Sequence, residues 1–231
     1  EALASDGAAV VAADINDRGD TVAAIEAAGG RAVASALDVS DSDSCAVMAA
    51  LAAETYGRID ILINNAALYS GLRGARFEDL DEQQWDQVMQ VNIKGTWLTS
   101  RAVLGCMRES GEGGSIINIA SLAAVFGLPY GLDYVASKAA VIGMTRGMAR
   151  ELGPDHIRVN AVAPSAVMTE GTAEFFGEKF EKAKTVIAAN QLIPRNLETA
   201  DLTGTIIYLA SDASRFVTGQ THMVDGGSWF L

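Results

Sequence analysis

The chain has 231 residues, enough for one α/β domain with a sizeable hydrophobic core. Hydrophobic residues make up 49% of it and aromatic residues only 6%, so the core must be built mainly from Ala, Val, Ile and Leu, as in parallel strands packed between helices. The formal net charge of −12 argues against nucleic acid and anionic membranes as partners, because both are negatively charged.

Cysteine and histidine are too scarce and too dispersed to predict a disulfide framework or a metal site. Cys45, Cys106, His156 and His222 are isolated from one another in the sequence. No apolar run approaches the roughly 20 residues of a membrane-spanning helix, and the first residues do not follow a signal-peptide pattern. We therefore expect no metal, no membrane partner and a cytoplasmic location.

Strands and helices alternate from the first residues of the chain, as the spacing of apolar residues and of turn-forming residues indicates. The predicted elements of the first half are a strand at 8–15, a helix capped by Asn16-Asp17 and reaching Ala28, a strand at 31–37, a helix capped by Ser40-Asp41 and ended by Gly57, and a strand at 59–63. The last of these is almost entirely apolar, as expected of a strand that is buried on both faces.

The second half continues this alternation. Its predicted elements are a long helix starting at Asp81-Glu82, a strand at 116–120, a helix from Ser121 towards Leu152, a strand at 157–162, a helical lid at 169–190, a helix at 198–210 and a last strand within 219–227. The tail at 228–231 is unusually apolar for a free chain end, so we predict that it packs on another subunit.

Polar and small residues collect at the carboxyl ends of the predicted strands. Asp14, Asp38, Asn64, Ser121 and Pro164 each close or follow one of them. Parallel strands present their carboxyl ends at one edge of a sheet, and in doubly wound sheets ligands bind in a crevice at that edge. The sequence therefore predicts a single Rossmann-like α/β domain over 1–231, with a doubly wound parallel sheet and a ligand crevice.

Tyr134 and Lys138 are four residues apart, so they share one face of the predicted helix. A phenol has a pKa near ~10, and an ammonium one turn away would lower that pKa and make Tyr134 a usable general acid or base. Ser121, brought close by the turn after its strand, could hydrogen-bond the reacting oxygen. The alternative is that Tyr134 and Lys138 merely lie on a solvated helix face.

Other polar positions also have both a functional and a structural interpretation. Asp14 could accept both hydroxyls of an adenosine ribose and repel a 2′-phosphate, or it could be a solvated turn acid. The amides of Asn64 and Asn65 could tie neighbouring strands together, or they could form a plain turn. Asn92 lies inside the predicted long helix, where Asn is unfavourable, so it is either exposed or makes a specific hydrogen bond.

In their order and spacing these motifs resemble the classical short-chain dehydrogenase/reductase family over essentially the whole chain. The matching segments are Asp14, Asp38-Val39, Asn64-Asn65-Ala66-Ala67, Asn92, Ser121, Tyr134-Val-Ala-Ser-Lys138, Asn160-Ala-Val-Ala-Pro164 and Asp225-Gly226-Gly227. The resemblance implies that Tyr134 is the general acid or base and that Lys138 lowers its pKa and holds the nicotinamide ribose. It further implies that Ser121 positions the substrate oxygen and that Asn92 maintains a proton-relay water.

The resemblance also implies a nicotinamide dinucleotide cofactor. An acid at the position of Asp14, with no Arg beside it before Arg18, favours NAD over NADP. By the resemblance, the adenine, adenosine, ribose and carboxamide contacts come from residues at the strand ends and on the helix that carries Tyr134. The implied cofactor-binding residues are Asp14, Ile15, Asp38, Val39, Asn65, Ala66, Ala67, Tyr134, Lys138, Pro164, Val167 and Thr169.

The sequence departs from the family pattern in three places. The family's first strand and its Thr-Gly-x-x-x-Gly-x-Gly phosphate loop are not in this sequence, and we expect about two dozen residues carrying them to precede Glu1. Ala67 stands where Gly is usual, which crowds the nicotinamide side slightly. Ser165 also replaces a usual Gly and adds a hydroxyl near the cofactor.

The candidate substrate-binding side chains are mostly apolar, which indicates a hydrophobic ketone or secondary alcohol. They are Ser121, Ala123, Phe126, Tyr134, Ser165, Met168 and Phe175, and Leu122, Leu128, Tyr130 and Phe176 are further candidates for the pocket lining. The Pro164-Ser165 pair and the segment 201–204 are similar to aryl secondary-alcohol dehydrogenases of the 1-phenylethanol type. The apolar members could instead pack the lid against the body of the protein.

Two rival functions remain open at this point. One is an NADPH-dependent 3-oxoacyl carrier-protein reductase, although an acidic carrier would meet a surface of net charge −12 and Asp14 would oppose the extra phosphate. The other is a non-catalytic cofactor-sensing protein, against which the intact set of Ser121, Tyr134 and Lys138 argues. A homotetramer is expected from the family.

Overall fold

A computed structural model describes residues 1–16 and 18–230; Asp17 of the predicted cap and Leu231 of the tail lie outside the described residues. The strands are β1 (Ala9–Asp14), β2 (Arg31–Ala36), β3 (Ile61–Asn64), β4 (Gly114–Ile119), β5 (Ile157–Pro164) and β6 (Thr221–Val224). The helices are α1 (Ala2–Ser5), α2 (Gly19–Ala27), α3 (Ser42–Tyr56), α4 (Glu82–Val88), α5 (Thr96–Glu109), α6 (Ala123–Phe126), α7 (Leu132–Leu152), α8 (Glu170–Phe176), α9 (Phe180–Ala189) and α10 (Thr199–Ala210).

All of these strands pair in parallel, in two groups. β1 pairs with β2, and β3, β4, β5 and β6 form a sheet in that order. Parallel neighbours require crossover connections, and α2 and α4 to α10 supply them. The predicted single α/β domain with a parallel sheet is confirmed.

Helices cover both faces of the larger sheet. Ile116 and Ile117 are consecutive in β4 and both fully buried, yet they belong to different core clusters. Ile116 lies in the cluster with Met107 of α5, whereas Ile117 lies in the cluster with Leu209 of α10. Because successive side chains of a strand point to opposite faces, this division places α5 on one side of β4 and α10 on the other.

A buried polar network ties the ends of β3 and β4 together. Asn64 donates from Nδ2 to Oδ1 of Asn118 at 2.8 Å, and Asn118 donates in turn to Oγ1 of Thr145 on α7 at 2.9 Å. Thr99 of α5 donates to Oδ1 of Asn64 at 2.6 Å. The predicted strand-tying role is therefore confirmed for Asn64, whereas Asn65 is exposed. Leaving one of these buried groups unpaired would cost about 1–3 kcal/mol.

The long helix predicted from Asp81 is not continuous. Asp81 caps α4 as predicted, accepting from the backbone N–H of Gln83 and Gln84, but a π-helical segment, Met89–Gly95, separates α4 from α5. Apolar spacing does not reveal such a segment, because a π turn shifts the buried face by only a fraction of a turn. A Cβ on Gly95 would lie 2.7 Å from Cγ2 of Val39, so a glycine lets this segment approach the end of β2.

The helix predicted to run from Ser121 to Leu152 is also interrupted. It consists of α6 and α7, and Gly127, between them, has a φ of 83°. Pro129 follows, and its missing N–H and fixed φ do not allow the helix to continue. Tyr134 consequently lies in the first turn of α7 rather than deep in a longer helix.

The predicted lid is two helices, α8 and α9, with Gly177 at φ 50° between them. Thr169 caps α8 by accepting from the backbone N–H of Thr172 at 3.3 Å. In the tail, Trp229 and Phe230 are 45% and 74% exposed, and their packing on another subunit stays a prediction. Within the described ranges, no helix is long and apolar enough to cross a membrane.

We predict that Gly113→Ala destabilises the fold much more than Gly111→Ala. Both glycines have positive φ, so either alanine should lower the free energy of unfolding by about 1 kcal/mol. A Cβ on Gly113 would also collide with the backbone carbonyl of His156 beside β5, whereas one on Gly111 meets nothing within 4 Å. That collision should add about 2 kcal/mol in urea denaturation. Equal losses in the two variants would contradict this packing.

Candidate active site

The site begins where β4 ends. Beyond Ile119, the backbone N–H of Ala120 donates to Val162 at 2.8 Å, and that of Leu122 donates to Pro164 at 2.9 Å. These bonds hold the segment that carries Ser121 against the end of β5. Ser121 is buried, and its Oγ accepts from the backbone N–H of Ala123 at 3.2 Å. The hydroxyl is thus held in place by backbone contacts on both sides.

Ser121, Tyr134 and Lys138 come together as predicted. The Ser121 side chain lies close enough to the Tyr134 phenol to lower the pKa of that phenol. Lys138 is only 4% exposed, and its Nζ donates to the backbone carbonyl of Ile119 at 2.7 Å. The same Nζ lies 5.8 Å from the centroid of the Tyr134 ring. The interpretation of Tyr134 and Lys138 as a solvated helix face is therefore wrong.

The pKa of Tyr134 is not lowered, contrary to the prediction. Burial raises the pKa of this phenol to about 12, the Tyr69 phenol adds to the increase, and the Ser121 side chain opposes it. The nearby Lys138 ammonium does not reverse this balance. Burial also lowers the pKa of Lys138 to about 8. Near neutral pH the phenol is protonated, so it can donate a proton to an oxygen held beside it.

Asn92 was predicted either to be exposed or to make a specific hydrogen bond, and the structure shows the second of these. It is 1% exposed in the π-helical segment, and its Oδ1 accepts from the backbone N–H of Leu68 at 2.7 Å. Its Nδ2 donates to the carbonyl of Leu68 at 3.2 Å and to Oγ of Ser137 at 3.0 Å. Because Ser137 lies on α7, Asn92 ties the loop after β3 to the helix that carries Tyr134.

Tyr69 is a site residue that the sequence did not indicate. Its ring centroid lies 5.0 Å from that of Tyr134 and 4.8 Å from that of Phe175 on α8. Tyr69 follows Leu68 in an irregular loop, where periodicity carries no information. The available signal was its position immediately after the strand-end motif, at the edge where the crevice was expected.

The candidate cofactor residues occupy the ends of four strands. These are Asp14 and Ile15 at the end of β1, Asp38 and Val39 after β2, Asn65, Ala66 and Ala67 after β3, and Pro164, Val167 and Thr169 at or after the end of β5. Most are accessible: Ile15 is 72% exposed, and Asp38 and Asn65 to Ala67 are also exposed. Because Ala66 and Ala67 are small, a flat ring can approach the backbone there, so these residues fit a dinucleotide along the strand ends.

Asp14 is engaged by a neighbouring arginine. Its Oδ1 accepts from Arg18 at 3.0 Å and from the backbone N–H of Asn16 at 2.9 Å. Arg18 is four residues away in sequence, and the turn between β1 and α2 brings it back onto the carboxylate. Asp14 is therefore not the isolated acid that favours NAD on sequence grounds, because half of an ion pair repels a 2′-phosphate less than a free carboxylate does.

The candidate substrate residues are only partly brought together. Phe175 reaches the site through Tyr69, and Ala123 is buried beside Ser121. Ser165 and Met168 lie in the segment after β5, where Ser165 donates to Gln191 at 3.4 Å and the Met168 backbone N–H donates to Leu197 at 2.9 Å. Phe126 ends α6 and is 49% exposed.

No group of three or more His, Cys, Asp or Glu side chains suited to a metal ion occurs in residues 1–16 and 18–230. The two thiols, Cys45 and Cys106, are free. The functional groups around Tyr134 are therefore a serine hydroxyl, phenols, an ammonium and amides.

A family model described as enoyl-(acyl carrier protein) reductase matches residues 1–228. The chain is 37% identical to a 3-oxoacyl-(acyl-carrier-protein) reductase of Thermotoga maritima, with 97% of this chain and 89% of that protein covered. It is 38% identical to BbsD of Thauera aromatica, a subunit of a hydroxy(phenyl)methyl-succinyl-CoA dehydrogenase, with 97% and 88% covered.

The fold is similar to a crystal structure described as that of a candidate short-chain alcohol dehydrogenase of Sinorhizobium meliloti 1021. The TM-score is 0.90 at 37% sequence identity, and 98% of this chain and 88% of that chain are covered. The similarity therefore extends over nearly all of the described residues, including the segment that holds Ser121, Tyr134 and Lys138.

We predict that Lys138 makes stability depend on pH. Burial lowers its pKa from 10.5 to about 8, so below about pH 8 the fold carries the full penalty of a buried charge. Between those values the unfolded chain binds more protons, so stability rises with pH. From about pH 7.5 to 9.5, the free energy of unfolding in urea should rise by about 2 kcal/mol more for the wild type than for Lys138→Met.

The matched control for this measurement is Lys94→Met, which removes an exposed lysine from the π-helical segment. The measurement should stay below about pH 10. Above that value the unfolded chain loses the Tyr134 proton before the folded protein does, so the free energy of unfolding falls as pH rises towards about 12. If the difference in the free energy of unfolding between the wild type and Lys138→Met does not change with pH, the buried ammonium is contradicted.

Proposed function

The chain belongs to the short-chain dehydrogenase/reductase family, and on this premise we propose that it is an NAD-dependent oxidoreductase that interconverts a hydrophobic, aryl-bearing secondary alcohol and its ketone. One observation carries the proposal. The Tyr134 phenol lies close enough to the Ser121 side chain for that side chain to lower its pKa, and it lies beside the buried Lys138 ammonium, at the end of a parallel strand. These three groups are suited to transfer one proton to or from a carbonyl or alcohol oxygen.

In the reducing direction the substrate oxygen accepts hydrogen bonds from the Ser121 and Tyr134 hydroxyls. The dinucleotide, when bound, supplies the hydride that the carbonyl carbon takes up. Tyr134 gives its proton to the oxygen, which becomes the alcohol hydroxyl, and Lys138 stabilises the resulting phenolate. Oxidation reverses these proton movements. The high pKa of the phenol keeps its proton in place until the substrate oxygen becomes basic.

The cofactor would lie along the strand ends that carry the candidate cofactor residues. The second carboxylate oxygen of Asp14 would accept the ribose hydroxyls, and Asp38 and Val39 would flank adenine. Lys138 would reach the nicotinamide ribose from its position beside Ile119. The hydroxyl-to-carboxylate contact at Asp14 favours NAD, because only the 2′-hydroxyl form can donate to a carboxylate.

The aromatic side chains next to Tyr134 are an argument for an aryl-bearing substrate. Tyr69, Phe175 and Phe176 form consecutive ring contacts that begin at Tyr134. Flat aromatic surfaces favour flat unsaturated groups through stacked or edge-to-face contacts. The relative from Thauera aromatica is named for a substrate that bears a phenyl group on a secondary alcohol carbon.

A second function is favoured by the Asp14–Arg18 ion pair. Arg18, if it releases Asp14, could accept a 2′-phosphate, and the Thermotoga maritima relative is named as a 3-oxoacyl-(acyl-carrier-protein) reductase. An NADPH-dependent reductase of carrier-bound 3-oxoacyl groups is therefore the alternative. The net charge of −12 is unfavourable for docking an acidic carrier.

The assembly and the location of the protein are part of the same proposal. We propose a homotetramer, consistent with the exposed apolar side chains of Trp229 and Phe230 near the end of the chain. A cytoplasmic location agrees with two free cysteines, which persist as thiols in a reducing compartment.

We predict that Tyr134→Phe lowers kcat for the reduction of acetophenone with NADH by about 10²- to 10⁴-fold, because the variant has no proton to donate. Tyr208→Phe is the matched control: Tyr208 lies on α10, away from the candidate site residues, and is 38% exposed, so turnover should be unchanged. NADH absorbance over a panel of ketones and alcohols of increasing bulk measures both variants. Full activity of Tyr134→Phe on every accepted ketone would refute the catalytic assignment.

We predict that NADH supports faster turnover than NADPH, and that Asp14→Asn narrows this preference by about tenfold or more. The substitution removes the negative charge that opposes a 2′-phosphate while Arg18 remains in place. Asp20→Asn, which removes an exposed acid from α2, is the control. The measurement is kcat/KM for each cofactor. A strong NADPH preference in the unaltered protein would favour the carrier-protein reductase.

A further inference from the structure

The ring of Tyr69 lies between the lid and the phenol of Tyr134. On one side it stacks on Phe175 of α8, with centroids 4.8 Å apart and planes 17° from parallel. On the other side it packs on Tyr134 at 5.0 Å with a tilt of 43°. Phe176 adds an edge contact to Phe175 at 5.2 Å. The lid therefore reaches the reacting centre through a continuous series of rings.

The hydroxyl of Tyr69 lies beside the same helix. It is close enough to the side chain of Thr172, which is 3% exposed on α8, for that side chain to oppose the increase in the Tyr69 pKa that burial causes. Thr172 is itself fixed, because its Oγ1 donates to the carbonyl of Val167 at 2.6 Å. The face of Tyr69 is thus engaged by α8, and through Thr172 and Val167 this helix is anchored to the segment after β5.

The backbone next to Tyr69 is held from the opposite side. Asn92 bonds both the N–H and the carbonyl of Leu68, and it also donates to Ser137 on α7. Ser137 is three residues after Tyr134 and donates to its carbonyl at 2.8 Å. Tyr69 therefore extends from a fixed point beside α7, and its position relative to Tyr134 does not depend on the lid.

We propose that Tyr69 is a positioning residue that seats the lid on the Tyr134 ring through its stack on Phe175. The inference rests on the proposed function, since a seated lid matters for turnover only where Tyr134 transfers a proton. Seating the lid buries the phenol and fixes its ring against a flat wall. Loss of the ring of Tyr69 removes the contact that joins Phe175 of α8 to the ring of Tyr134.

Two variants separate the contributions of the ring and the hydroxyl. Tyr69→Leu removes both the aromatic contacts and the hydroxyl, whereas Tyr69→Phe retains the rings and loses only the hydroxyl beside Thr172. Phe77→Leu is the matched control, because Phe77 is 76% exposed and takes no part in the series of rings. Thermal unfolding of each variant checks that it is folded before the other measurements.

The first readout does not require activity. The rate of trypsin cleavage at the lid lysines, Lys179, Lys182 and Lys184, is measured on the full chain by mass spectrometry. Cleavage should be about 30-fold faster in Tyr69→Leu, which loses two ring contacts, and at most about fivefold faster in Tyr69→Phe, which keeps both ring contacts and loses only the hydroxyl. Phe77→Leu should be cleaved at the wild-type rate.

The second readout is the division of the effect between kcat and KM, with acetophenone and NADH as probes. Tyr69→Leu should lower kcat about tenfold and leave KM for NADH unchanged, and Tyr69→Phe should restore kcat to within about threefold of the wild type. The proposal is overturned if Tyr69→Leu leaves either the lid cleavage rate or kcat at the wild-type value. It is also overturned if Tyr69→Phe behaves like Tyr69→Leu in both readouts.

Failure of this inference is distinguishable from failure of the proposed function. If Tyr134→Phe leaves turnover unchanged, the proposed function is refuted. The trypsin cleavage rate still decides in that case whether Tyr69 seats the lid. Conversely, an activity that requires Tyr134 but is indifferent to Tyr69→Leu leaves the function standing and removes the positioning role.

Discussion

The arrangement of the site depends on one buried hydrogen bond, from the Lys138 ammonium to the carbonyl of Ile119 at the end of β4. A charged group with almost no exposure requires a polar partner, and this carbonyl supplies it. The bond fixes α7 against the strand end, and Tyr134, one turn earlier on the same helix, is thereby set beside Ser121. Ser121 follows the same strand, so a single strand end positions all three groups.

Burial has opposite consequences for the two titrating groups of this site. It raises the pKa of the phenol and lowers that of the ammonium, because each is disfavoured in its charged form. The phenol is thus a proton donor held in reserve, not a group that ionises spontaneously near neutral pH. In the proposed mechanism the neighbouring charge matters after the proton has left, when it stabilises phenolate. That chemistry depends on what is placed against the phenol, a position that we propose the Tyr69 loop and the lid determine.

Much of the fold and part of the site could be predicted from the sequence, because both follow from local patterns. Apolar runs located the strands, and Asp81 and Gly57 marked helix ends as predicted. The i, i+4 spacing of Tyr134 and Lys138 indicated their common face. Other features could not be predicted, because they depend on side-chain packing and burial in the folded chain. These include the π-helical segment around Asn92, the ring contacts of Tyr69, the reach of Arg18 to Asp14 and the direction of the Tyr134 pKa shift.

A crystal structure of the protein with NAD and acetophenone is the most direct measurement of the central claim, that Tyr134 transfers the proton at a substrate oxygen that Ser121 also holds. The account predicts that the ketone oxygen lies within about 3 Å of both hydroxyls, with the amine of Lys138 in reach of the nicotinamide ribose. A phenol that points away from the ketone, with Lys138 out of reach of the sugar, would contradict it.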